Sequence, residues 1–266
     1  MSDSTLLGKY LVLGLGLASL TTWGWGLQHG LHRQTVLPWK PRTSPAWPGG
    51  LVLLAIVAAF LTPSYVLVLL PRPEAGSLQL LQIVCLGLLA QNVVLLAVLG
   101  SGGKLRREDL GLDTSTCRTD LRTGALAFLA SLLPVFGVNL VVQLLGWRSE
   151  DGQHVLLKMA EESTNWQVLA WVALSAVVLA PIAEELMYRV VLQGYLETRL
   201  HSAVAIVVVA VLFAARHNEP GRPDALPLFP LALILGYVYY RRHSYIAVVL
   251  THVLFNAANL LLVLVS

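Results

Sequence analysis

The stretch SLQLLQIVCLGLLAQNVVLLAVLG, residues 77–100, contains no Asp, Glu, Lys or Arg. About 20 predominantly apolar helical residues cross a bilayer core, so this segment reads as a transmembrane span. Two further runs, Thr123–Trp147 and His243–Ser266, are equally free of those four residues. A soluble fold of 266 residues has room for many apolar side chains, but it cannot hide uncharged runs of this length. Composition agrees: 56% of residues are hydrophobic, 12% are charged and mean hydropathy is +0.70, whereas ordinary soluble domains carry about 25% charged residues. The expected fold class is all-α, a polytopic transmembrane helical bundle, and the chain is expected to be a multi-pass integral membrane protein.

Alternating uncharged runs with charged connections predicts about eight spans, near residues 8–28, 50–71, 78–100, 123–146, 166–183 (continuing as a helix to about 198), 202–217, 226–241 and 245–265. The sixth and seventh are short, and Pro227 and Pro230 break the start of the seventh. The longest polar connections are 29–49, 101–122 and 147–165, and 104–122 reads as a surface loop or interfacial helix. Lys9 followed by an apolar stretch resembles a signal peptide, but without a small-residue cleavage site it reads as an uncleaved first span. Residues 1–122 are expected to form accessory spans beside a C-terminal membrane core, 123–266.

The pI near 9.0 comes from basic residues in short connections between apolar runs. That arrangement orients membrane proteins, so no nucleic-acid partner is expected. The connections after spans one, three, five and seven hold eleven Lys and Arg (residues 33, 40, 42, 104, 106, 107, 118, 122, 199, 241 and 242). The other side holds six, residues 9, 72, 148, 158, 216 and 222. The richer side is expected in the cytoplasm, with both termini outside. Cys85 in a span and Cys117 in a polar connection have neither metal-ligand spacing nor the look of a disulfide pair.

A charge at mid-bilayer costs about 2.5–3.5 kcal/mol on insertion scales, which makes each one a functional hypothesis. Ala180-Pro181-Ile182-Ala183-Glu184-Glu185-Leu186-Met187-Tyr188-Arg189 places three charges in six positions. Glu185 and Arg189 are four apart and share a helix face, while Glu184 points about 100° away. One carboxylate can thus be held by the arginine while its neighbour stays free. Pro181, one turn earlier, removes a backbone hydrogen bond and can bend the helix. Alone, these charges could equally mark the headgroup end of the fifth span.

Later segments add partners. The apolar run from Val204 ends in Phe213-Ala214-Ala215-Arg216-His217, and the last span carries His252 and Asn256 four apart on one face, with Asn259 continuing the stripe. In hydrocarbon each unsatisfied polar group costs several kcal/mol, so these side chains must find partners, and Glu184 and Glu185 are available. If spans five and six form a hairpin turning near Leu200–His201, Glu184 and His217 each lie 16 residues from it, about 24 Å at the helical rise of 1.5 Å. His252 and Asn256 enter the last span from His243 and can line the same cavity.

Glu-Glu-x-x-x-Arg at 184–189, Phe-x-x-x-His at 213–217 and His-x-x-x-Asn at 252–256 resemble the CPBP family, which comprises the Rce1-like CAAX proteases and bacteriocin-processing enzymes of the abortive-infection type. The resemblance covers about residues 165–262 and departs from the pattern at Tyr188 and Val190, where the family often has Phe and Gly. It implies a glutamate-dependent intramembrane endopeptidase in a bacterial-type cell (inner) membrane, acting on a membrane-associated or lipidated protein or peptide. The catalytic set it implies is Glu184, His217, Glu185, Arg189, His252 and Asn256, with no cofactor and no metal. Glu184 with His217 would activate water, His252 and Asn256 would donate to the oxyanion, and Arg189 would keep Glu185 charged. Two alternatives stand beside this. One is a zinc protease ligated by Glu184, His217 and His252. The other is a non-cleaving membrane protein: a scaffold, a bacteriocin-immunity protein or a proton-coupled transporter. Transport is disfavoured by the lack of membrane-buried charge before Gly100.

Overall fold

The computed structural model describes residues 3–41, 47–71, 73–74, 76–103, 105–147, 155–217 and 225–265, with side chains from residue 6 onward. Every regular element among them is helical. In chain order these are α1 (Asp3–Leu31), α2 (Gly49–Leu69), α3 (Leu78–Ser101), α4 (Cys117–Leu144), α5 (Val155–Glu162), α6 (Trp166–Leu196), α7 (Ser202–Arg216), α8 (Leu228–Arg242) and α9 (Tyr245–Val265). The all-α membrane bundle expected from the charge-free runs is therefore present.

Among the described residues six helices are long and apolar enough to cross a bilayer: α1, α2, α3, α4, α6 and α9. Helices α7 and α8 have 15 residues each, about 22 Å at 1.5 Å per residue, and fall short of a hydrocarbon core of about 30 Å. The count of about eight thus corresponds to eight alternating helices, of which six span by their own length. Two connections hold more structure than the charge pattern suggests. Helix α5 lies within the polar stretch 147–165. Helix α4 begins at Cys117 after two 3₁₀ turns, Glu108–Leu110 and Thr114–Thr116, so Arg118, Asp120 and Arg122 belong to its first turns.

The connections that follow α1, α3, α6 and α8 gather at one end of the bundle. Lys40 Nζ donates to Asp113 Oδ2 at 2.8 Å and to Thr116 Oγ1 at 3.0 Å, and Lys40 N donates to Arg241 O at 2.9 Å. Arg242 reaches Asp120 Oδ1 at 3.1 Å and Pro38 O at 3.3 Å. His243 pairs its Nδ1 with Lys40 O at 2.9 Å and faces Glu197 at 3.7 Å. The carboxylate of Asp113, half-buried at this end, is held down to about 2 chiefly by the hydrogen bond from Lys40. All four connections in the basic-rich set therefore share one face, as the alternation of spans requires. Arg42, Lys104, Arg72, Arg148 and Arg222 of the charge count lie outside the described residues.

Helix α9 is packed most closely against α4. At Gly124 an added Cβ would lie 2.8 Å from Ala247 O and 3.0 Å from Leu250 Cβ, and Thr251 Oγ1 donates to Gly124 O at 3.1 Å. Close backbone approach over a small residue is how helices associate where lipid offers no hydrophobic contrast. Thr251 precedes His252, so this contact also fixes the histidine. Gly124→Val is expected to force the helices apart and to lower stability by about 1–3 kcal/mol, read as an earlier unfolding transition of the purified protein in detergent.

Candidate active site

Helix α6 is not a uniform α-helix. It runs as α over Trp166–Val172, π over Ala173–Leu179, α over Ala180–Glu185, π over Leu186–Gln193 and α over Gly194–Leu196. Such widened turns recur at functional sites, and here they bracket the single α turn that carries Glu184 and Glu185. Pro181 accounts for part of the pattern. In the first π stretch Ala180 N–H bonds to Ser175 O, five residues back. The next donor in that register would be residue 181, and proline has no N–H. Ala176 O is thereby left without its helical donor, and Asn256 Nδ2 donates to it at 2.8 Å.

Glu185 and Arg189 are fully buried and face each other, Arg189 Nε lying 3.3 Å from Glu185 Oε2. The guanidinium also sits over the Phe213 ring, with Cζ 5.0 Å from its centroid. Glu185 Oε1 takes His252 Nδ1 at 2.9 Å. A carboxylate accepts and does not donate, so His252 carries a proton on Nδ1 and turns Nε2 outward. His217 closes α7, with Nδ1 2.8 Å from Phe213 O. That carbonyl likewise fixes the proton on Nδ1 and leaves Nε2 free.

Both free Nε2 atoms face Glu184. His217 Nε2 is 3.6 Å from Oε1 and His252 Nε2 is 3.9 Å from Oε2. These separations exceed a direct hydrogen bond and match groups that engage a third polar atom between them. Glu184 and His217 keep side-chain exposures of 22% and 23%, whereas Glu185 and Arg189 have 0% and His252 5%. The accessible pair can therefore meet a substrate while the dry trio holds its shape. Phe213 packs against both histidines, with ring centroids 4.6 Å from His217 and 5.8 Å from His252, and Tyr188 stands edge-on to it at 5.3 Å.

The structure thus brings Glu184, Glu185, Arg189, His217 and His252 into one cluster, and the equal-depth placement of Glu184 and His217 holds. Asn256 comes to the same helix, but its amide engages the Ala176 carbonyl. Asn259 does not join, since its Nδ2 donates to Phe255 O in its own helix at 3.0 Å. Among the described residues no group of three or more His, Cys, Asp and Glu is arranged to hold a metal ion. Sequence reasoning missed Tyr245, whose hydroxyl donates to Ile182 O at 2.6 Å. Its only signal was its spacing, seven residues before His252 on the same helix face.

Residues 165–258 match the model of the type II CAAX prenyl endopeptidase Rce1-like family. The matched segment holds all three motifs and every residue of the cluster, and it is about a third of the chain. No curated protein and no solved structure matches. The Rce1-like segment is similar to membrane proteases of the CAAX type, which supports a peptide-bond hydrolase in general.

The buried pair sets a clear stability test. Removing one partner of a buried ion pair leaves the other charge uncompensated, at about 3–5 kcal/mol. Arg189→Met should show that loss in chemical or thermal unfolding, and the double variant Glu185→Gln/Arg189→Met should recover a large part of it.

Proposed function

We propose that the Rce1-like segment is a glutamate-dependent intramembrane endopeptidase that hydrolyses a peptide bond in a membrane-associated or lipidated protein or peptide. The observation that carries this reading is the Glu184 carboxylate, partly accessible, with one oxygen toward His217 Nε2 at 3.6 Å and the other toward His252 Nε2 at 3.9 Å. Water held between Glu184 and His217 gives up a proton to this pair and attacks the scissile carbonyl carbon. The carbonyl oxygen becomes an oxyanion and takes hydrogen bonds from His252 Nε2 and from the amide N–H of Asn256 not engaged by Ala176. That role requires a proton on His252 Nε2 in addition to the one on Nδ1 that faces Glu185. The proton taken from water passes to the departing amine as the C–N bond breaks. Glu185, held by Arg189, keeps His252 oriented, as carboxylates do for catalytic imidazoles.

Peptide hydrolysis inside a bilayer requires a polar site that lipid does not quench, and the partial burial of Glu184 beside a dry ion pair supports such a site. Residues 1–122 serve as accessory helices around the 123–266 core. Trp23 Nε1 donating to Ala130 O at 3.0 Å and Leu133 N to Ser19 Oγ at 3.2 Å show how α1 braces α4. A bacterial-type cell membrane is the location that the resemblance supports. His217 closes α7 at its end away from the basic-rich connections, so by the charge count the site opens nearer the outer face.

Purified protein in liposomes with a membrane-tethered fluorogenic peptide should show cleavage that Glu184→Gln and His217→Ala each reduce by about 10²–10⁴-fold. Folding, read by circular dichroism and gel filtration, should remain intact. Full activity in either variant sinks the scheme. Activity is expected to survive exhaustive chelation, and its loss on metal removal with return on zinc addition would favour the zinc reading instead.

A further inference from the structure

Tyr245 stands at the first position of α9, two turns before His252 on the same face. Its hydroxyl donates to Ile182 O at 2.6 Å. That carbonyl also accepts the backbone N–H of Leu186, and Leu186 is where the hydrogen-bond register of α6 slips from α to π. The tyrosine therefore grips the helix two residues before Glu184, at the turn whose geometry aims both carboxylates.

The other end of this tie is firmly held. Tyr245 N donates to Gly111 O at 3.1 Å. Gly111 has φ +68°, and a Cβ there would lie 2.6 Å from His243 O, so only glycine fits between the 105–116 connection and the α8–α9 corner. His243 itself has φ 43° and is buried against Lys40 O and Glu197. A phenol mounted on that corner has little freedom to follow α6 if α6 moves. Helix α9 then reaches α6 through three side chains: Tyr245 on Ile182 O, His252 on Glu185, and Asn256 on Ala176 O.

We propose that Tyr245 is a positioning residue that fixes the Glu184–Glu185 turn through the Ile182 carbonyl. It touches no reacting atom. Its contribution is to hold the α turn between the two π stretches, so that Glu184 stays opposite both Nε2 atoms. The inference rests on Glu184 being the base, and its test separates the two ideas.

The full chain in liposomes is compared as wild type, Tyr245→Phe and Tyr237→Phe, the last a half-exposed tyrosine of α8 that serves as control. Tyr245→Phe keeps the ring and deletes only the hydroxyl. It should lower kcat about tenfold with KM within about twofold, because small misplacement of a reacting group acts on the chemical step. Amide hydrogen exchange over residues 180–193 should quicken in Tyr245→Phe and not in Tyr237→Phe. A wild-type kcat in Tyr245→Phe overturns the inference, as does unchanged exchange over 180–193. A kcat that falls only in step with lost folding overturns it too. If Glu184→Gln keeps cleaving, the glutamate reading fails, yet the exchange measurement needs no substrate and still decides the Tyr245 tie.

Discussion

A carboxylate with no access to solvent must be matched by positive charge or it drives the chain apart, and Glu185 is such a group. Arg189 stands one turn along the same helix and His252 arrives from α9, one on each oxygen of Glu185. Burial of this kind contributes little net stability, because desolvation offsets most of the attraction. It does tie α6 to α9 at one point, since Glu185 meets Arg189 on its own helix and His252 on α9. Phe213 closes the remaining side with its ring face on the guanidinium, which brings α7, and with it His217, to the same point.

The second constraint is backbone hydrogen bonding in a medium without water. A proline at position 181 and two π stretches would leave carbonyls exposed to hydrocarbon, where nothing solvates them. Asn256 supplies from α9 the donor that Ala176 O lacks, and Tyr245 adds a second hydrogen bond to Ile182 O, which already accepts the Leu186 N–H. A helix broken in this way is tolerated only where a neighbour re-satisfies it, and the neighbour here is the helix that also carries His252. Irregular backbone and site chemistry therefore share one interface, and a change to either is felt by both.

The basic end of the bundle works differently. There the partners are carbonyls of residues 37, 38 and 40, taken by Arg241, Arg242 and His243. This strap joins the end of α1 to the α8–α9 corner, and through Glu197 to the end of α6. Asp120, placed by the sequence in a surface loop or interfacial helix, proves to be buried and paired with Arg242 because α4 starts earlier than its charge-free run. Charge near a span end carries no sign of whether it faces headgroups or a partner helix.

The sequence alone determined the membrane class, the alternation of helices and the different faces that Glu184 and Glu185 present. Those follow from local rules: the absence of charge over bilayer length, and the 100° step between adjacent helical residues. Even the meeting of Glu184 with His217 was legible, because equal counts from a hairpin turn give equal depth. Tertiary structure alone decided the rest. Pro181 signals a lost backbone bond but not the slips to π register, so neither which carbonyl is orphaned, Ala176 O, nor its rescue by Asn256 could be read beforehand. The 15-residue lengths of α7 and α8, the buried Asp120–Arg242 pair and the reach of Tyr245 to Ile182 depend on how helices cross. Spacing fixes which residues share a face, and only packing fixes what that face meets.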